Sequence, residues 1–508
     1  MANTTRALFW AVLACSGAAC GEQRDADVDG GDDAGEPADA STGADAGPDE
    51  FWHTFLGTSD YHDNSSAIAV DGEGGVYLTG KSGPWLGPSG EPPLHAHTGD
   101  TGDVWVLKLD RNGAYRWHTF LGSGLGPSVG ENSVGIAVSA DGGVFVAGYG
   151  AAWLGPAGEA PLHAHSGGED LDLFVFHLDT DGSYLWHTFF GSNGAEERAY
   201  GIAVDQNENV YVTGESEDWA GPSGEPPLNP YAGLWESLFV LKLATDGEYQ
   251  WHTLYGSDNE FDWGSDVAVG PDGAVYVVGS GGEWLGPSGE SPLDAHTGEQ
   301  NIAVVKLDAA GAYQWHAFFG GNGGGYGIAI DGNEGVFVSG AAGGGWDDPL
   351  ETGCGVDYSG GLDAVVVKLT TAGEHEWHAF YGAAGNDSAS GVASDLEGGV
   401  FVTGYGTNGW TGPLGEPPLH PHSDVDEWAD LFVLHLEDDC TYGWHTFLGE
   451  GGGDGGTGVA TTSSGELFLS GNSGGPWSGP NGESPLHEHS GMDDLFAMRL
   501  PPTGGTAR

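Results

Sequence analysis

Basic residues are scarce in this chain: 12 Lys and Arg stand against 75 Asp and Glu, a formal charge of −63 over 508 residues. A surface this negative repels phosphate backbones, which excludes nucleic acid as a partner. It favours solubility and draws divalent cations. The apolar stretch 7–14 is too short to span a bilayer. Glycine is abundant but follows no strict Gly-X-Y period, so the chain is not collagenous. No Ser-His-Asp spacing, zincin motif or phosphate-cradling loop stands out.

What is present near the start is an address. Arg6 and the amino terminus are positive, Ala7 to Ala14 are largely apolar and Ser16 to Ala19 are small, which reads as an export signal over residues 1–20. Cys20 closes it in a pattern that resembles the lipobox of bacterial lipoproteins, where the cysteine is lipidated. Gly17 stands where that family has Leu, so ordinary signal cleavage and use of Cys15 stay open. Residues 21–50 are nearly all Asp, Glu, Ala, Gly, Pro, Ser and Thr and predict a disordered acidic tether. Asp25, Asp27, Asp29, Gly30 and Glu36 formally match a calcium loop, as an Asp-rich tract does by chance.

From residue 51 the chain repeats. A motif opening Trp-His and closing on Gly starts at Trp52, Trp117, Trp186, Trp251, Trp315, Trp377 and Trp444, at intervals of 65, 69, 65, 64, 62 and 67 residues. Between copies lie a short apolar run such as Gly201-Ile-Ala-Val-Asp205, an alternating run such as Asn209-Val-Tyr-Val-Thr-Gly214, a long loop, and a third run such as Leu238-Phe-Val-Leu-Lys-Leu243. The pattern predicts an all-β fold: a seven-bladed β-propeller of four-stranded antiparallel blades over 51–500, followed by a short tail, 501–508. The first strand is expected innermost, because its central residue is Ala in every copy, from Ala69 to Ala460. A Trp-His strand precedes the first complete unit and is missing from the last, so the N-terminal strand is expected to close the ring.

These pieces, Gly-Ile-Ala-Val-Asp, Val-Tyr-Val-Thr-Gly, Leu-Phe-Val-Leu-Lys-Leu and the closing Trp…Gly, resemble the bacterial SBBP repeat family of seven-bladed propellers. The resemblance implies an extracytoplasmic protein and brings no catalytic residues with it. The chain departs from the family in its long Trp-Gly-Pro loop.

That loop carries the first candidate site. Six copies of Trp-x-Gly-Pro-x-Gly-Glu-x-Pro-Leu place Trp85, Trp153, Trp219, Trp284, Trp410 and Trp477 with Glu91, Glu159, Glu225, Glu290, Glu416 and Glu483; the fifth unit is shortened around Trp346. Each Trp reads first as an anchor folding its loop onto its own blade, since a buried indole covers about 150–250 Å². The functional alternative is a ring of aromatic platforms for sugars or peptides, with the glutamates bonding hydroxyls. His-x-His follows the loop at His95/His97, His163/His165, His420/His422 and His487/His489, a spacing compatible with zinc or copper if a third ligand exists. No cofactor is required; calcium or zinc are the metals such residues raise. Cys354 and Cys440 would be exported and are a candidate disulfide, although simple strand alternation puts them on opposite faces. The third strands share one cationic or His position: Lys108, His177, Lys242, Lys306, Lys368, His435 and Arg499. It is expected to hold a partly buried cation against carboxylates or carbonyls.

The leading functional expectation is an exported, lipid-anchored propeller at the outer membrane or cell surface, or else secreted, binding a protein or glycan through its long-loop face. An exported polysaccharide-cleaving or metal-dependent hydrolase and a structural envelope protein are the alternatives.

Overall fold

The computed structural model describes residues 51–504 apart from 60, 100–101, 124–131, 169, 231–234, 259, 334, 347–353, 396 and 424–427. The expected signal, the tether and Cys20 lie outside the described residues, as do 505–508. Within them the chain forms seven four-stranded antiparallel sheets. The blades comprise 64–121, 132–190, 198–255, 263–319, 323–381, 387–448, and 454–500 joined by 52–56. In each, sequential strands pair as a meander, here called inner, second, third and outer. The inner strands touch one another around the axis, where the small Ala of each copy relieves crowding.

The closing strand Trp52–Leu56 pairs antiparallel with Asp494–Leu500, in register from Trp52↔Arg499 to Leu56↔Leu495. The other chain end completes the same blade. Gly504 N–H donates to Pro501 O at 2.8 Å, copying the hairpin bond from Gly113 N–H to Asp110 O. Residues 501–504 therefore stand where the other blades have a third-to-outer hairpin.

Neighbouring blades are joined at these hairpins. Trp52 donates its indole N–H to Arg111 O at 3.0 Å, Trp377 to Asp438 O at 2.9 Å and Trp444 to Pro502 O at 3.1 Å. The four lysines at the shared cation position serve the same seam, whereas His177, His435 and Arg499 find partners within their own blades. Lys108, Lys242 and Lys306 reach Thr180 O, Ala309 O and Thr371 O in the following blade, each ammonium 4.7–4.9 Å from a Tyr ring of its own blade. Lys368 pairs with Asp438 and Glu376, and Arg499 meets Glu466 Oε1 at 2.8 Å. His177 stacks on Phe145, and His435 donates to Asp395 at 2.8 Å. Arg499 is the most enclosed of the set, 1% exposed. Arg499→Met should cost about 3–5 kcal/mol, the scale for breaking a buried ion pair. Urea unfolding would measure this, and a loss under 1 kcal/mol would remove the cation's structural role.

The long loop does not rise from a face. It folds down the outside of its own blade and returns, so that Leu94 N–H bonds His118 O at 2.9 Å and Phe120 N–H bonds His95 O at 3.2 Å. The outer strand, otherwise an open edge, is thereby covered. The Leu ending each loop reaches the next blade's hairpin Gly: a Cβ on Gly182 would meet Leu94, one on Gly247 Leu162, and one on Gly504 Leu419. These hairpin glycines hold φ near +80°, which L side chains rarely adopt.

This route brings together the candidate disulfide pair and corrects its expected placement on opposite faces. Cys354 takes the Leu position, its N–H on His378 O, and Cys440 takes the Gly position with φ 67°. They are disulfide-bonded with Cα atoms 6.0 Å apart. Strand alternation failed because it assumed that a loop stays on the face where it begins.

Candidate binding site at the mouth of the ring

The rim residues are committed to the fold. Trp85, Trp153, Trp219, Trp284, Trp410 and Trp477 are only 3–6% exposed, which removes them as open platforms. Each indole stacks on the His of its blade's Trp-His motif, with centroids 3.8–4.5 Å apart. The Trp carbonyl accepts from that imidazole's Nε2–H, as from His118 to Trp85 O at 3.1 Å. Nδ1 is then the acceptor, and Tyr115 OH donates to it at 2.7 Å. Glu91, Glu159, Glu225, Glu290, Glu416 and Glu483 each accept the main-chain N–H two residues upstream at 2.8 Å, closing their own turns. Anchoring thus accounts for both residue types.

Burial depresses His118, His187, His252, His316 and His445 to about 4. Their folded values lie below the ordinary 6.5, so their contribution to stability is complete above pH 6.5 and is lost as pH falls through 4. Ring resonances followed by NMR should show five imidazoles that do not titrate between pH 8 and 5. Five normal titrations near 6.5 would refute the stacked, neutral arrangement.

The His-x-His pairs divide their work. His95, His420 and His487 bond the hydroxyls of Thr119, Thr446 and Thr54, while His163 packs near Phe190. His165, His422 and His489 donate to Gly150 O, Gly406 O and Ser473 O, and His97 meets Phe120 edge-on. Among the described residues no three of His, Cys, Asp and Glu gather as a metal's donor set.

A different set of residues breaks the sevenfold pattern. Five positions before each invariant Ala, at the start of the inner strand, stand Asn64, Asn132, Arg198, Trp263, Gly324, Ser388 and Gly455. Their partners on the second strand are Lys81, Tyr149, Glu215, Ser280, Ala341, Tyr405 and Asn472. These pairs lie where the inner strands begin, at the end of the ring from which the long loops leave, called here the mouth, and no two are alike. Arg198 Nη1 donates to Glu215 Oε1 at 2.6 Å, Tyr200 OH to the same oxygen at 2.9 Å, and the guanidinium lies 5.7 Å from the Tyr149 ring. Arg198 also pairs with Glu196.

Asp266 is a second break. It sits where other inner strands have Ala67, Gly135, Gly201, Gly327, Gly391 and Gly458. It accepts N–H bonds from Val267 and Ile328. Asp266 is partly exposed, and desolvation of its carboxyl against the neighbouring strands pushes it up to about 7. The mouth therefore combines partly exposed Tyr149, Trp263, Tyr326 and Tyr405 with one fixed guanidinium and a carboxyl that titrates near neutrality. The signal for these residues was in the sequence: they vary at a fixed offset from an invariant one.

A family model described as a β-propeller repeat, SBBP, matches residues 52–83 and 185–217. The chain carries SBBP β-propeller repeats. Each matched window runs from an outer strand through the first two strands of the next blade. The variable pairs Asn64/Lys81 and Arg198/Glu215 lie inside these SBBP windows, and the rim loops lie beyond them.

Over 219 residues the chain is 28% identical to the regulatory protein FlaEY of Caulobacter vibrioides, covering 42% of this chain and 21% of that protein. It thus spans about a fifth of that relative's length. Among solved structures it is similar to virginiamycin B lyase from Staphylococcus aureus, with 11% identity and TM-score 0.42 over 89% of this chain and 100% of that one. It is also similar to a protein of unknown function from Dyadobacter fermentans, with 12% identity and TM-score 0.41 over 88% and 97%.

Proposed function

We propose that this propeller is an exported binding module whose ligand, a protein segment or a glycan, enters at the mouth of the ring. The observation that carries the reading is the set of unlike pairs at a position where a purely architectural repeat would have like ones. Rigid rings present such positions without cost to the fold, because the strands behind them hold their register. Aromatic faces beside an Arg and a carboxyl suit a ligand with apolar faces and polar edges. The export signal and Cys20 support a surface tether. The face is the one on which the long loops begin, but the ligand-facing residues are those of the mouth rather than the rim.

A hydrolase reading draws on one group, Asp266, whose value near 7 suits acid–base chemistry. Glycan and peptide arrays with the full chain separate the two. Trp263→Ala and Tyr405→Ala should each weaken binding at least tenfold with little change in melting temperature, and Leu86→Ala on the rim should leave it unchanged. Binding lost only with the rim variant would overturn the site. Turnover abolished by Asp266→Asn would overturn the binding-only reading.

A further inference from the structure

The closing Gly of the Trp-His motif makes room for acid. A Cβ on Gly57 would lie 2.6 Å from Asp494 Oδ1 and 2.7 Å from Asp63 Oδ2. One on Gly449 would lie 2.5 Å from Asp454 Oδ2 and 3.1 Å from Asp430 Oδ1. Gly191 faces Glu197 and Asp172 in the same way, and Gly382 faces Asp387 and Asp363. In each case one carboxylate starts the third strand and the other ends the connection leaving the outer strand. All eight side chains belong to residues at most 2% exposed.

Two buried carboxylates facing each other need a positive charge or a proton between them. Ser and Thr groups satisfy part of each pair. Ser490, Ser166, Ser423 and Ser359 bond Asp494, Asp172, Asp430 and Asp363, and Thr58 N–H bonds Asp63. They leave buried oxygens with no protein partner: Asp63 Oδ1, Glu197 Oε2, Asp387 Oδ1 and Asp454 Oδ2. In two cradles the orphaned oxygen is the one nearest the glycine, Glu197 Oε2 at Gly191 and Asp454 Oδ2 at Gly449, whereas Gly57 and Gly382 meet the partnered Oδ2 of Asp63 and Asp387.

We propose that the two cradles with an orphaned oxygen turned into them, Glu197/Asp172 in blade two and Asp454/Asp430 in blade six, are calcium sites that brace the start of the third strand against the interblade connection. The donors are hard oxygens: two carboxylates per cradle, with hydroxyls, main-chain carbonyls and water to complete six to eight ligands. Such a shell suits calcium rather than zinc, which favours imidazole and thiolate. The nearby imidazoles lie outside it: His165 Nε2 is 3.7 Å from Asp172, His422 Nδ1 is 3.8 Å from Asp430, and both rings donate to carbonyls. Blades three and four show what a cradle looks like without the pair. Ser237 replaces the third-strand carboxylate beside Asp262 in one, and Asn301 stands there in the other. The large negative charge of the chain raises local cation concentration at both calcium sites.

The test uses the full chain stripped with EDTA and equilibrated at about 1 mM free calcium, the range in which extracellular modules bind. Elemental analysis should find about two tightly held calcium ions per chain, retained in 1 M NaCl because buried pairs are poorly screened. Calcium should raise the melting temperature by several degrees, and magnesium should do so less. Glu197→Gln and Asp454→Asn should each remove one ion. Should either variant fail to fold, the wild-type count and its salt resistance still decide. Calcium held only at low salt would show diffuse binding to the acidic surface and overturn the proposal. So would no calcium effect together with a melting temperature that falls as pH rises from 6 to 8, which would show that each pair shares a proton instead.

Discussion

Deleting residues 51–57 should unfold the ring rather than trim it. Trp52, Phe55 and Leu56 are 6%, 1% and 6% exposed, and His53 is fully buried against Trp477. Burying a large apolar side chain is worth about 1.5–3 kcal/mol, so these three contribute about 5–9 kcal/mol. Typical domain stability is about 5–15 kcal/mol, which leaves little after their removal. The deletion also bares the edge of Asp494–Leu500 and strips Phe496 and Met498 of cover. The expected result is loss of the cooperative melting transition or aggregation during purification. A melting temperature within a few degrees of the full chain would refute closure by this strand.

Reducing Cys354–Cys440 should be the next largest effect. The bridge closes a loop of 86 residues, for which the chain-entropy account gives about 4–5 kcal/mol. It also replaces, at a single seam, the Leu–Gly contact found at the other six. Dithiothreitol should therefore lower the melting temperature clearly and loosen the seam between blades five and six first, as amide exchange would show. The double variant Cys354→Leu with Cys440→Gly should recover part of the loss by restoring the contact used elsewhere. Equal melting temperatures with and without reductant would show that the seam does not depend on the bridge.

Both the architecture and its closure were legible because they rest on repetition. Seven Trp-His strands with a displaced first copy admit few arrangements, and Ala at the centre of every inner strand points to the crowded axis. The rim was half legible. Trp85 and its counterparts were readable as anchors, but their stacking on His118 and its equivalents depends on the loop's descent along the outer strand. The cysteines were legible as a candidate disulfide pair but were set on opposite faces for the same reason. Their signal was substitution within the repeat, Cys354 for Leu and Cys440 for Gly. The mouth was missed because repeating residues drew attention, whereas Arg198, Trp263 and Asp266 matter by failing to repeat.

The sequence alone determined the blade count, the strand order within each blade and the partner of the N-terminal strand, since these follow from local periodicity and from which copy is incomplete. The tertiary structure decided where the long loops lie, that Cys354 and Cys440 meet, and which carboxylates face each other across Gly57, Gly191, Gly382 and Gly449. Those are contacts between segments far apart in the chain. Their geometry depends on how a loop packs against an edge and how neighbouring blades meet, and neither leaves a period in the sequence.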